Sequence, residues 1–193
     1  MVLAHHIILT GYGHWLPNDP RGSLSKDFRS DAIPSLGDIH YGRKSPQPPI
    51  EHVKTFRKQA GRKLKHPVLW FGVDETKILG DAFRRVVSTA KLTCYACGIL
   101  RNHAHLVIRK HKLKGEGMIK LLKDESLKAL QEMNLLPPTH PLWSQDDYFV
   151  FKDTPAAVRA AVGYIVKHFE KHRIPTQGWD FVVPYDNWPF HKR

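Results

Sequence analysis

Two spacings in this chain put side chains able to do chemistry onto common surfaces. In "LRNHAHLVI", Leu100 to Ile108, His103 and His105 flank an alanine at the start of an apolar run. In an extended chain alternate side chains share a face, so the two imidazoles point one way while Ala104 and Leu106 point the other. That sets two neutral nitrogen ligands side by side. In "AAVGYIVKHFEKH", Ala160 to His172, Tyr164 and His168 lie one helical turn apart on the flank of an apolar stripe formed by Val158, Ala161, Val162, Ile165 and Phe169. They can face one pocket. Taken singly, the H-x-H reads as two polar residues at the mouth of a strand, and the Tyr-x-x-x-His as a packing tyrosine beside a solvated neighbour. The coexistence of the two pairs shifts the balance toward a site.

The elements that must position these residues follow from periodicity. "AHHIILT", Ala4 to Thr10, reads as a first strand ended by Gly11 and Gly13. Residues 15–67 are rich in Pro, Gly, Ser and charge and form a long insert, read as DNA-facing, with a short basic helix expected over 51–66. From Asp74 to Leu92, Ile78, Leu79, Ala82, Val86 and Val87 recur at helical spacing behind an Asp cap. "TCYACGIL" and "HAHLVIRK" then read as two strands joined by a tight Arg101-Asn102 turn. A second amphipathic helix follows over 115–133, a last strand over 142–151, and a helix opened by Thr154 as N-cap with Pro155 in its first position. This order predicts one α+β domain spanning 1–193. Its core is a ferredoxin-like β-α-β-β-α-β arrangement with an extra C-terminal helix, and residues 173–193 form a tail.

Composition narrows the partners. Thirty Lys and Arg against 18 Asp and Glu give a formal charge of +12 over 193 residues, which points to a polyanion, with nucleic acid first. No stretch approaches the roughly 18 consecutive apolar residues of a spanning helix, so a membrane partner is not expected. The first residues lack the basic region and cleavage site of a signal peptide, and a cytoplasmic location is expected. Cys94 and Cys97 lie three apart in a strand, which predicts opposite faces and two reduced, partly buried thiols rather than a shared metal or a disulfide.

The quoted segments, with "LWSQDDYFVF" between them and "HHIILTGYGHWLPNDPRG" near the N-terminus, resemble the single-tyrosine HUH transposases, among them the REP-associated tyrosine transposases of bacteria. The resemblance spans the first strand and about residues 75–172. It implies that His103 and His105 bind a divalent metal, that Tyr164 is the nucleophile, and that the residue four after it completes the metal site. That position is commonly Gln or Asn in the family and is His168 here. The implied reaction is nicking and rejoining of single-stranded or hairpin DNA through a 5′-phosphotyrosine. The cofactor would be Mn²⁺ or Mg²⁺, with a three-His set favouring manganese because magnesium prefers oxygen ligands. The resemblance also allows a homodimer. Two other readings stand beside it: a non-catalytic hairpin-binding protein derived from such an enzyme, and a three-His metal hydrolase. For the DNA path the basic residues Lys54, Arg57, Lys58, Arg62 and Lys63 of the insert, and Arg101, Arg109, Lys110 and Lys112 around the H-x-H strand, are the candidates. Trp15, Trp143, Trp179 and Trp188 are candidate surfaces for stacking on unpaired bases.

Overall fold

A computed structural model describes residues 1–23, 25, 33–145 and 148–190. Part of the insert, Asp146 and Asp147 of the expected last strand, and the final three residues of the tail lie outside the described residues. Four strands, β1 (Ala4–Thr10), β2 (Cys94–Leu100), β3 (His103–Arg109) and β4 (Tyr148–Lys152), form one antiparallel sheet in the order β2-β3-β1-β4. The helices are α1 (Ile50–Gly61), α2 (Val73–Thr89), α3 (Gly115–Glu132) and α4 (Pro155–His172). The α+β class and the strand-helix-hairpin-helix-strand-helix order are those expected from the sequence.

Strands β1, β2 and β3 are buried on both faces, and the two faces meet different helices. Ile7, Leu9, Cys97, Ile99, Ala104, Leu106 and Ile108 enter a large core with Leu79 and Phe83 of α2 and Met118, Ile119 and Leu122 of α3. On the opposite face Leu3, Tyr95 and Val107 pack against Val158, Ala161, Ile165 and Phe169 of α4. In β3 the alternation puts Ala104, Leu106 and Ile108 into the first core and turns His103, His105 and Val107 toward α4. The register places Ile8 opposite His105 and Thr10 opposite His103. Helix α4 starts as the sequence predicts, with Thr154 Oγ1 accepting the Ala157 N–H at 3.1 Å and Pro155 filling the first position.

Several local expectations are corrected. The cap of α2 is Gly72, whose N–H donates to the Glu75 carboxylate at 2.9 Å, and Asp74 is a first-turn acid. Helix α1 ends at Gly61 rather than continuing to 66. The last strand begins at Tyr148, because Trp143 turns into the core, donates its indole N–H to Ser126 Oγ at 2.8 Å and leaves only an isolated bridge to Gly11. Cys94 and Cys97 share the first core, because an irregularity in the β2-β3 register between Cys94 and Ala96 breaks the alternation of faces. Both are free and fully buried; burial pushes the Cys94 thiol up to about 12 and raises Cys97 strongly.

The C-terminal segment is no loose tail. The Gln177 amide pairs with both backbone groups of Ile99, at 2.9 and 2.7 Å, and the Val183 N–H donates to Cys94 O at 2.9 Å, so this segment covers the open edge of β2. Among the described residues no helix is long and apolar enough to cross a membrane.

Gly98 of β2 is the seat of α4. A Cβ there would meet Ile165 Cγ2 at 2.7 Å and the Phe169 ring at 3.2 Å. Gly98→Val therefore forces α4 away from the sheet. A stability loss of about 1–3 kcal/mol is expected in urea unfolding, together with weaker metal binding by the histidines that α4 helps to assemble. Unchanged stability and unchanged metal affinity would show that α4 does not rest on this contact.

Candidate metal and nucleophile site

Docking of α4 brings together the four residues singled out by spacing. The donor nitrogens of His103, His105 and His168 lie within 4.8 Å of one another. Their ring centroids are 4.8 Å (His103–His105), 5.8 Å (His103–His168) and 5.1 Å (His105–His168) apart, and the ring planes meet at 87°, 88° and 83°. Three nearly perpendicular rings present edges to a shared centre. The Tyr164 ring lies 4.4 Å from His168 and 5.6 Å from His105, and Tyr164 is 46% exposed, open to a large ligand. Within this one chain the tyrosine lies beside its own histidine pair.

The hydrogen bonds fix which nitrogens face the centre. Asn102 Oδ1 can only accept, so His103 donates its Nδ1–H at 2.7 Å and keeps a lone pair on Nε2. His105 Nδ1 lies 3.1 Å from His6 Nε2, leaving His105 Nε2 buried and without a hydrogen-bond partner. His168 Nδ1 is likewise buried and unpartnered. Orphaned polar atoms of this kind cost about 1–3 kcal/mol each unless a ligand takes them. A divalent ion bound by neutral imidazoles fits this donor set, with Asn102 and His6 holding the second nitrogens of two ligands.

Burial keeps these rings neutral. Desolvation lowers His103 to about 3 and His105 to about 2, with neighbouring histidines adding to the effect, and lowers His6 to about 4, assisted by Lys152 and His168. His168 is lowered by burial and then by His172 and Lys171. The Tyr164 phenol is raised by burial, opposed by the positive charge of Arg43. It is therefore not a preformed phenolate.

The expected DNA residues separate. Arg101 lies at the turn beside His103, its guanidinium 5.7 Å from the Trp70 ring. Arg57 is exposed on α1 and lies within electrostatic reach of Arg21 and Asp19. Lys58, Arg62 and Lys63 are exposed on or just after α1, and Lys54 pairs with Glu51 at 2.8 Å. Arg109, Lys110 and Lys112 do not surround the histidines. β3 rises about 3.3 Å per residue, so Arg109 sits roughly 13 Å from His105 and roughly 20 Å from His103 at the strand's other end, where it lies over Trp188 at 4.7 Å. Trp143 is a core residue and Trp179 packs against the first core, so neither is a stacking surface. Sequence reasoning missed His6, Asn102, Arg43, His14 and Trp70. His6 carries a signal, since it stands at the right alternation in β1, and Asn102 adjoins His103 in the β2-β3 turn; Arg43, His14 and Trp70 depend on how the insert and its ends fold back, which periodicity does not encode.

No family model matches the sequence, and no curated protein matches it. Among solved structures the chain is similar to a REP-associated tyrosine transposase bound to a REP hairpin, at 12% identity over 97% of this chain and 74% of that one, with a TM-score of 0.47. It is also similar to a protein of Deinococcus radiodurans R1 assigned as a transposase, at 14% identity over 91% of this chain and 94% of that one, with a TM-score of 0.41.

Two measurements test the site. In calorimetric titration with Mn²⁺, His105→Ala is expected to abolish binding, and Asn102→Ala or His6→Ala to weaken it about 10–100-fold. Equal binding by wild type and His105→Ala would make the cluster structural.

The second is the pH dependence of stability in chelator. Unfolded histidines take up protons near pH 6.5, whereas folded His6, His103 and His105 resist to about 4, 3 and 2. The unfolded state thus binds more protons below pH 6.5, and stability is whole above that pH and falls as pH drops from 6.5 toward 4, by up to about 1 kcal/mol per pH unit for each histidine. Urea midpoints at pH 7.5 and 5.5 should show this decline, and a His103→Gln/His105→Gln variant a shallower one. Equal slopes would refute the assignment.

Proposed function

We propose that this chain is a metal-dependent enzyme that nicks and rejoins single-stranded or hairpin DNA through a covalent 5′-phosphotyrosine at Tyr164. The observation that carries the reading is the exposed Tyr164 ring set 4.4 Å from His168 and 5.6 Å from His105, at the rim of three imidazoles with orphaned buried nitrogens. A net charge of +12 supports a polyanionic substrate. His103, His105 and His168 would hold the ion, Mn²⁺ in preference to Mg²⁺ for an all-nitrogen set. When bound, such an ion supplies charge stabilisation to the phosphoryl oxygens.

The chain's own groups do the rest. Tyr164 Oη attacks phosphorus and loses its proton as the bond forms, and the P–O3′ bond breaks to release a 3′-hydroxyl. The charge of Arg43 opposes the burial that favours the protonated phenol and draws a phosphate toward it. Asn102 accepts the Nδ1–H of His103 and leaves that ring's Nε2 lone pair free, and His6 holds the His105 ring through a contact to its Nδ1. The phosphotyrosine conserves the cleaved bond, so attack by a 3′-hydroxyl reverses the step.

The test is incubation of labelled single-stranded hairpins with Mn²⁺, followed by denaturing electrophoresis. Wild type is expected to cleave and to leave a denaturation-resistant adduct mapping within Ala160 to Lys167. Tyr164→Phe should bind the hairpin normally and give neither product. Cleavage that survives Tyr164→Phe would establish water as the nucleophile and a hydrolase instead; an adduct on Tyr148 or Tyr185 would identify another nucleophile; binding with no cleavage by wild type would leave a hairpin-binding protein.

A further inference from the structure

Two tryptophans lie exposed in segments that adjoin the end of the sheet where the H-x-H pair begins. Trp15 is 42% exposed and Trp70 is 47% exposed. Each lies near a guanidinium: Arg21 is 3.7 Å from the Trp15 centroid and Arg101 is 5.7 Å from that of Trp70. These are built positions. Arg21 is fixed by a two-point pair with the buried carboxylate of Asp19, at 2.8 and 2.6 Å. Trp70 meets the edge of the His14 ring at 4.5 Å, and His14 is itself fixed by donating from Nε2 to Leu69 O at 2.8 Å. Trp15 holds a left-handed backbone conformation, φ 51°, which a bulky residue adopts only where its surroundings impose it.

Both indoles are tied by the backbone to the site. Leu69 N–H donates to Tyr12 O at 3.1 Å just beyond β1, and Phe71 N–H donates to Arg101 O at 2.7 Å in the turn that opens onto His103. Trp70 is thus held between the ends of the two central strands, at the edge where the H-x-H pair begins. Trp15 follows His14 directly in the chain, and Trp70 packs edge-on against that fixed imidazole. Exposed aromatic faces interleaved with arginines are what unpaired bases on a phosphate backbone require: the rings stack, every base has a π-face, and the cations meet the phosphates.

We infer that Trp15 and Trp70, with Arg21 and Arg101, form a stacking platform for unpaired nucleotides of DNA that lead into the three-histidine centre. The inference deepens the nicking reading and rests on it for the identity of the strand, while its binding test stands apart from catalysis. Because stacking tolerates any base, the platform holds single strands without reading their sequence.

The experiment measures binding of the full chain, in chelator so that no strand is cut, to a DNA hairpin carrying a short thymine overhang at either end. The same hairpin with abasic overhangs keeps the phosphates and removes the bases. Wild type is expected to prefer the thymine form by about tenfold for each stacked base. Trp15→Ala and Trp70→Ala should each lose part of that preference, and the double variant nearly all of it, while affinity for the abasic form is unchanged. Trp70→Phe, which keeps an aromatic face, should retain most of the preference, and equal urea midpoints exclude unfolding as the cause. Equal binding of thymine and abasic forms by wild type, or a preference undiminished in the double variant, overturns the platform even if Tyr164 forms its adduct. Loss of the preference in the double variant supports the platform even if wild type forms no adduct, an outcome that would remove the nicking reading alone.

Discussion

Because Gly98 has no side chain, Ile165 and Phe169 lie directly on β2, and every distance in the candidate site follows from how closely α4 can approach the sheet. The histidines on β3 are fixed by strand register; His168 and Tyr164 are fixed by the helix. Only the seat of the helix on the sheet joins the two sets. One helical turn separates His168 from Tyr164, so a single docking geometry places a third nitrogen against His103 and His105 and sets the phenol at the rim. A larger residue at 98 would act on the site without touching it.

The cluster opposes the fold that holds it. His6, His103 and His105 are stripped of water and kept neutral, and the buried nitrogens of His105 and His168 have no hydrogen-bond partner. An apolar face under α4 would be more stable. The compensation lies elsewhere, in the larger core on the other side of the sheet, where Phe83, Met118, Ile119 and Leu122 are fully buried and the Trp143 indole finds its acceptor in Ser126. This division of labour between faces lets one side of a four-stranded sheet carry destabilising groups. In this cluster the cost of neutral buried imidazoles coincides with two unpartnered nitrogens, as in a ligand-binding centre before its ligand is bound.

Much of this was legible from local pattern. The alternation of β3 announced which face His103 and His105 share; the stripe of α4 announced the flank bearing Tyr164 and His168; Thr154-Pro155 announced where that helix starts. Each depends on residues within one or two turns of chain. What escaped depends on longer reach or on broken periodicity. The irregularity between Cys94 and Ala96 put two thiols on one face where strict alternation separates them. Gln177 completes the edge of β2 from 78 residues away. Trp143 looked like the start of a strand because it is apolar and aromatic, yet its indole N–H needed Ser126, and meeting that need pulled it into the core. The basic residues after β3 looked close to the histidines in sequence, but an extended strand carries them to the far end of the sheet.

The insert was the least readable part of the chain, and its described portions are not peripheral to the site. Arg43 acts on the phenol of Tyr164, Arg21 and Arg57 act on His14, and His14 in turn acts on His103. Arg57 stands on α1, while Arg21 and Arg43 are delivered by irregular backbone, held in part by Asn18 donating to Ile33 O at 2.8 Å and by the pairing of Arg21 with Asp19. The sheet and α4 supply the three imidazoles and the phenol of the candidate site, whose rings burial keeps neutral. The insert supplies cationic charge around them. A phosphodiester entering this centre would meet arginines from one part of the sequence and imidazoles from another. The cationic groups and the imidazole-phenol cluster can therefore vary independently, because they rest on different supports.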